Sequence, residues 1–343
     1  MSFVHMYFKG ETTSPWHVRK RKYSDYLYTR DDYLWGRGIR GPVLRQLWRT
    51  FCPKSDAHDG VKFDPEKDCL TCINANECPF HNLIGSADEG EFKDKPNLIV
   101  TNLRFTKKVN RQRVALATLN DKHLGVVEEK APVFIEYLPE ETPFEFETIF
   151  MAEGAKFAEQ FESAVKTSIQ FLGWGGFCNE GFGRGTITSV ENNGFNDFDH
   201  EYIEREARKI MEKTQKKEDL TFTISPILIL EKNGAKYYKS ILEEGFHEKL
   251  CNCINERYWQ LYGQKIYVQN VINEISGRTR TLTISGWSRA YRRSMPFLGL
   301  GNEITFHCTE ETGIEEAKAF AILRYGVGRY KNQGFGSLEI KFA

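Results

Sequence analysis

GWGGFCNEGFGRGTI at 173–187 and GVGRYKNQGFGSLEI at 326–340 are one segment written twice, 153 positions apart. Gly173, Gly175, Asn179, Gly181, Phe182, Gly183 and Ile187 recur as Gly326, Gly328, Asn332, Gly334, Phe335, Gly336 and Ile340. Phe177 and Tyr330 are both aromatic, and Glu180 and Gln333 are close in shape. Repetition at this distance reads as two copies of one small domain, each closed by the same loop.

The sequence around each copy has the same rhythm. Before the first loop, Phe157, Phe161, Val165 and Leu172 fall at helical spacing, and ITSV after it reads as a closing strand. FVHMYFKGE near the start alternates as a strand does. In IRGPVLRQLWRTF at 39–51, Leu44, Leu47, Trp48 and Phe51 share a helical face, and Pro42 sits near the start of the run, where a helix tolerates it. Residues 97–106 and 132–150 read as strands. The second half restarts with a strand at 220–231 and continues with a helix around 238–262, strands around 265–288 and 303–308, a short helix near 313–324, the second loop and a last strand. Each half is thus strand, helix, strands, helix, glycine loop, strand. That order predicts an α+β protein of two tandem ferredoxin-like domains, with helices on one face of each sheet. The first domain is expected at 1–190 with a cysteine-rich insertion at 52–96, the second at 220–343, and the polar segment 191–219 between them as a linker carrying a solvated helix.

At 343 residues the chain is long enough for two cores. Lys+Arg and Asp+Glu both number 47, so net charge does not point to nucleic acid and any basic surface must come from clustering. No apolar run reaches the ~18 residues of a membrane helix and no signal peptide opens the chain, which predicts a cytoplasmic protein without a membrane partner. Of eight cysteines, Cys52, Cys69, Cys72 and Cys78 crowd one segment. Cys-x2-Cys followed by Cys78 is close to zinc-ligand spacing, and four soft ligands make a closed tetrahedral site. The expected ligands of a structural zinc are Cys52, Cys69, Cys72 and Cys78, with His81 as the substitute for Cys52. A closed site staples the insertion and does no catalysis.

The glycine loops follow a helix and precede a strand, the reverse of a dinucleotide fingerprint, so nucleotide-cofactor binding is rejected. A backbone without Cβ atoms can instead approach a phosphodiester. Gly181, Gly183, Gly334 and Gly336 are candidates for that contact, with Arg184, Arg329 and Lys331 as counter-charges. Three basic clusters accompany them. WHVRKRKY at 16–23 sets Arg19, Lys20, Arg21 and Lys22 between aromatics; Arg104, Lys107, Lys108, Arg111 and Arg113 form the second; WSRAYRR at 287–293 carries Arg289, Arg292 and Arg293. Cations attract the phosphates, and Trp or Tyr stacks on unpaired bases.

These pieces together resemble the RAMP superfamily of CRISPR-associated proteins, and more narrowly its CRISPR repeat-processing endoribonucleases with a cysteine-rich insertion. The resemblance rests on IRGPVLRQLW at 39–48, Cys-x2-Cys with CPFHNLIG up to 85, the first glycine loop, GWSRAYRRSMPFLGLGNEITF at 286–306 and the final loop. It implies ferredoxin-like (RRM-like) domains, CRISPR repeat RNA or crRNA as partner, a role in antiviral defence, and metal-independent cleavage by the ribose 2′-OH that leaves a 2′,3′-cyclic phosphate. Where that group is expected to carry a histidine before the final loop, this chain reads AILRYGVG. His17, beside the first basic cluster with Tyr23 near, is then the candidate catalytic base, and His123 is the runner-up. His5 lies on an expected strand, and histidines 58, 200, 247 and 307 read as surface or core. SPWHVRKRKYSDYLYTRDDYLWGRGIRG also resembles the crRNA-binding subunits of type III interference complexes. That likeness implies the alternative: a non-catalytic guide-binding subunit, partnered by other effector subunits.

Overall fold

The computed structural model describes residues 3–23, 26–52, 72–84, 97–116, 119–121, 126–127, 133–195, 200–232, 236–288 and 293–341. The chain separates into two compact units, 2–194 and 195–343, with Met1 grouped with the latter.

In the first unit, β1 (Phe3–Thr12) leads through β2 (Arg19–Tyr23), β3 (Tyr26–Thr29) and the short β4 (Tyr33–Leu34) into helix α1 (Gly36–Phe51). Helix α2 (Pro79–Ile84) and strands β5 (Leu98–Val100), β6 (Leu103–Phe105) and β7 (Gln112–Leu116) come next, then a small β8–β9 pair (Leu119–Asp121, Val126–Val127). Strands β10 (Val133–Tyr137) and β11 (Pro143–Met151), helix α3 (Ala158–Thr167) and β12 (Gly185–Phe195) complete it. The principal sheet runs β12-β1-β11-β6-β4, with β5 also paired to β11. With β5 and β6 taken as one broken strand, this is the antiparallel 4-1-3-2 order of a ferredoxin-like domain. Alternation along β1 sends Met6, Phe8 and Gly10 inward, and Phe8 stacks on Phe146 of β11 at 4.6 Å. The strand expected at 132–150 is two strands, β10 and β11, and β10 leaves the principal sheet to join a second one ordered β2-β3-β10-β7.

The buried face of α1 is Ile39, Val43, Leu44 and Leu47. Phe51, expected on that face, is exposed, and Trp48 is only half-buried. The helix starts at Gly36, so Pro42 falls in its second turn and not its first. Phe80 and Leu83 of α2 enter the same core, so the cysteine-rich insertion contributes to the domain it interrupts.

The second unit holds helix α4 (His200–Gln215), β13 (Leu220–Leu228), the small β14–β15 pair (Glu231–Lys232, Lys236–Tyr237) and helix α5 (Phe246–Tyr262). Strands β16 (Ile272–Ser276), β17 (Thr279–Ser288) and β18 (Arg293–Cys308), helix α6 (Ile314–Ala321) and β19 (Ser337–Ile340) follow. Its sheet is β16-β18-β13-β19, again 4-1-3-2, with β17 paired to β18. Two ferredoxin-like domains in tandem are therefore present.

The segment expected as a linker is not one. Strand β12 runs on to Phe195, and α4 buries Ile203, Ala207 and Ile210 while packing on α6. Those residues sit at i, i+4, i+7 of a charged helix, an amphipathic stripe that overall polarity hides. No helix among the described residues is long and apolar enough to cross a membrane.

Candidate nucleic-acid interface

Both glycine loops close in the same way. Trp174 N donates to Gly183 O at 2.8 Å, and Val327 N donates to Gly336 O at 3.0 Å. Phe177 and Tyr330 are left-handed at the same place, with φ of 60° in each. Each loop then clasps the segment that follows the first strand of its own domain. Gly183 N donates to Pro15 O at 2.8 Å and Gly176 N to His17 O at 2.9 Å; Gly336 N donates to Ile227 O and Arg329 N to Ile229 O, both at 2.9 Å. His17 of the first domain is thus the positional counterpart of Ile229 in the second.

This geometry corrects the expected role of the glycines. Gly183 (φ 82°) and Gly336 (φ 65°) give their N–H groups to the protein's own carbonyls, and a Cβ on either would strike a backbone oxygen at 2.2 or 2.0 Å. Gly181 donates to Cys178 O, and Gly334 is buried. At Gly183 and Gly336 the missing side chain lets two stretches of backbone cross, and their amides are spent inside the fold.

The cations of the second loop are spent as well. Lys331 is 8 % exposed, with Nζ 2.6 Å from Glu256. Beneath it, fully buried Arg257 donates to Tyr325 O and to Asn332 Oδ1, and burial pulls its pKa down to about 9. Arg329 pairs with Glu231 and donates to Tyr237 Oη at 3.1 Å. A free phosphate-facing role for Lys331 and Arg329, expected from sequence, does not fit this packing: carboxylates at Glu231 and Glu256 already neutralise them.

The first loop differs at the matching positions. Gly176 replaces the arginine, Arg19 takes the place of Glu231 two residues beyond the histidine, and both Arg19 and Arg184 have exposed side chains. His17 is 2 % exposed; its Nδ1 lies 2.8 Å from Glu136 O and its ring meets Phe177 edge-on at 5.2 Å. A carbonyl accepts only, so Nδ1 carries the proton and the neutral ring keeps its lone pair on Nε2. Burial lowers the His17 pKa, Arg19 pushes the same way, and the bond to Glu136 O opposes them.

The second sheet brings the first two basic clusters together, β2 on one edge and β7 on the other. Arg19, Lys20 and Lys22 are exposed along β2. Arg111 binds Asp31 and Glu136 at 3.1 and 3.4 Å, and Arg113 reaches Glu136 at 3.7 Å. Lys107 and Lys108 are exposed in the turn after β6, and Arg104 is exposed on β6 itself. Trp16, expected to flank the first cluster at the surface, is fully buried and donates Nε1–H to Arg184 O at 2.6 Å. Tyr23 is 73 % exposed. It lies six residues along from His17, about 20 Å in extended chain, so the two cannot serve one phosphodiester.

The side chain of Arg21 and the residues His123, Arg289 and Arg292 lie outside the described residues, and Arg293 is placed by its backbone alone, paired with Ser288. Cys69 is also outside. Cys52, Cys72 and Cys78 are free thiols, and no group of three or more metal-binding side chains assembles among the described residues. Of the other described histidines, His5 lies 3.1 Å from Glu147 and His307 2.7 Å from both Asp219 and Ser276, whereas Nε2 of His247 is buried with no hydrogen-bond partner.

Sequence reasoning missed the pairing of His17 with Ile229, because their spacing differs from the 153 positions of the loop repeat and only the loop hydrogen bonds reveal it.

Residues 9–186 match the family model of the RAMP superfamily, and residues 208–340 match that of the CRISPR associated protein Cas6, C-terminal. No curated protein sequence matches the chain. Among solved structures it is similar to a Cas6 product complex (10 % identity, TM-score 0.43, all of both chains covered). A second Cas6 product complex gives 11 % identity and a TM-score of 0.43 over 99 % of this chain and 100 % of that one. A Type III-B Cmr-beta complex bound to cognate target RNA gives 11 % identity and a TM-score of 0.37 over 56 % of this chain and 61 % of that one. The fold stands on its strand order and not on these distant likenesses.

Proposed function

The chain belongs to the RAMP superfamily, and from that membership we propose that it binds CRISPR RNA through its first domain and cuts the precursor transcript within the repeat. The match of 208–340 to the Cas6 C-terminal model supports repeat processing. One observation carries the reading: a histidine occupies the clasp position that the sister domain fills with Ile229. The clasp itself uses only the backbone carbonyl of this residue, while its ring reaches Glu136 O. An imidazole in that place costs desolvation free energy, visible in its lowered pKa, which an aliphatic side chain avoids. Its presence there fits chemistry better than packing.

In this reading His17 Nε2, neutral at physiological pH, takes the proton from the ribose 2′-OH. The 2′ oxygen attacks phosphorus, the bond to the 5′ oxygen breaks, that oxygen takes a proton from water, and a 2′,3′-cyclic phosphate remains. Arg19 supplies positive charge beside the histidine, and Arg184 supplies it on the loop. No metal takes part. The test is end-labelled repeat RNA in EDTA with the wild type and His17→Ile, which copies the sister domain. A single cut with a cyclic phosphate end, lost in a variant that still melts like wild type, is expected. Cutting by His17→Ile at the wild-type rate removes the histidine from the mechanism.

A second reading, a non-catalytic guide-binding subunit of a type III complex, is favoured by the 2 % exposure of His17. It predicts binding without any cut and co-purification with other subunits.

A structural zinc held by Cys52, Cys69, Cys72 and Cys78, with His81 in reserve, belongs to the same proposal. Its support is local. Ala75 N donates to Cys72 O and Cys78 N to Ala75 O, so two tight turns separate two thiols just ahead of α2, whose Phe80 and Leu83 are in the core. A metal at that point ties the insertion to the domain.

A further inference from the structure

The β2-β3-β10-β7 sheet has two unlike faces. Residues opposite one another on neighbouring strands share a face. Lys22, Leu27, Ile135 and Val114 form one row. Ile135 in it is fully buried, and Tyr137, two residues on, meets Phe182 of the glycine loop edge-on at 5.8 Å. At Ile135 and Tyr137 that face is turned into the domain, and Lys22 at its β2 end is exposed at the sheet edge. The adjacent row is Tyr23, Tyr26, Phe134 and Ala115, and it faces outward: Tyr23 is 73 % and Tyr26 38 % exposed, and Ala115 is exposed. Tyr26 stacks on Phe134 at 4.8 Å with planes 14° apart, and Tyr28, from the next outward row, lies 6.5 Å from Tyr26. Arg113 is exposed in that same next row, and Arg19, Lys20 and Lys22 run along the β2 edge.

An outward row of aromatic rings bordered by exposed cations along its β2 edge is poorly explained by stability. Exposed rings on a sheet gain little from burial, and Arg19, Lys20 and Lys22, exposed close together along one edge, repel one another. The same arrangement suits a chain that carries flat bases and a phosphate on every residue. We propose that this outer face is a stacking platform for single-stranded RNA, on which unpaired bases lie against Tyr23 and Tyr26 while the backbone follows the β2 cations. The inference rests on the RNA-binding reading above and adds the state of the RNA: unpaired where it crosses the sheet, since bases inside a duplex offer no free faces.

The test measures fluorescence anisotropy of a labelled uridine homopolymer, a duplex RNA of equal length and the repeat RNA. The proteins are the wild type, Tyr23→Ala, Tyr26→Ala, Tyr26→Phe and Lys22→Ala. The alanine variants at Tyr23 and Tyr26 are expected to weaken homopolymer binding by about 5- to 150-fold each, the range for one lost base–ring stack. Their salt dependence should stay unchanged, and Tyr26→Phe, which keeps the ring, should bind as wild type. Lys22→Ala should instead lower the slope of log affinity against log salt by about 0.7. Repeat RNA bound equally by wild type and both alanine variants overturns the platform and leaves the RNA-binding reading standing. A wild type that binds none of the three RNAs overturns both. Duplex affinity falling as steeply as homopolymer affinity also overturns the platform, because it shows the rings serving something other than stacking.

Discussion

Gly183→Ala and Gly181→Ala test whether the glycine loop is a backbone crossing. Both positions are left-handed, with φ of 82° and 87°. An L side chain in that region costs about 1–2 kcal/mol. At Gly181 nothing lies within 4 Å of the added Cβ, so that conformational term is the whole effect. At Gly183 the Cβ would fall 2.2 Å from Trp174 O and 3.0 Å from Trp174 N, in the opposite limb of the same loop, to which Gly183 is hydrogen-bonded. Neither atom can move without breaking the closure, and overpacking of that kind adds about 1–3 kcal/mol. Gly183→Ala should therefore destabilise the first unit by about 2–5 kcal/mol and Gly181→Ala by about 1–2 kcal/mol. Urea unfolding of the whole chain, followed by the fluorescence of buried Trp16 and Trp174, reads both. Equal losses at the two positions would refute the crossing and restore the glycines to a ligand-facing role.

Arg257→Leu should cost about 3–5 kcal/mol in the second unit, because Tyr325 O and Asn332 lose their donor in a closed interior; a wild-type melting curve refutes that. Lys331→Met should lower stability while RNA affinity and its salt slope hold, and a drop in the slope returns that lysine to the RNA surface. The depressed His17 pKa means the unfolded chain takes up a proton that the folded one refuses. The stability of the first unit is then full above about pH 6.5 and falls as pH drops below it, by about 1.4 kcal/mol for each tenfold difference in proton affinity. Thermal melts of His17→Ile against pH should lack that component, and parallel curves refute it. Cys72→Ser should lose bound zinc by elemental analysis, whereas retained stoichiometry excludes this cysteine from the ligand set.

Tandem ferredoxin-like domains were legible because the glycine loop is a long-range repeat and the apolar periods on either side switch between strand and helix in a fixed order. The pairing of clusters was not. Nothing in WHVRKRKY says that its strand joins β7 through β3 and β10, because sheet neighbours are chosen by tertiary packing. Lys331 read as a free cation for a related reason: Glu256, which neutralises it, is a partner brought by α5 from 75 residues away. Residues 191–219 read as linker because charge dominates the window, while three apolar side chains at helical spacing decide the packing. Trp16 looked like a surface aromatic from its basic neighbours and is instead a core residue held by Phe105, Phe144 and Trp174.

Ultraviolet crosslinking of the full chain to repeat RNA, with the attached peptides sequenced, addresses most directly whether the first domain's loop and outer sheet hold the RNA. Adducts should concentrate at 19–28 and 174–184. Adducts confined to 326–341, where the cations are already paired, contradict the account.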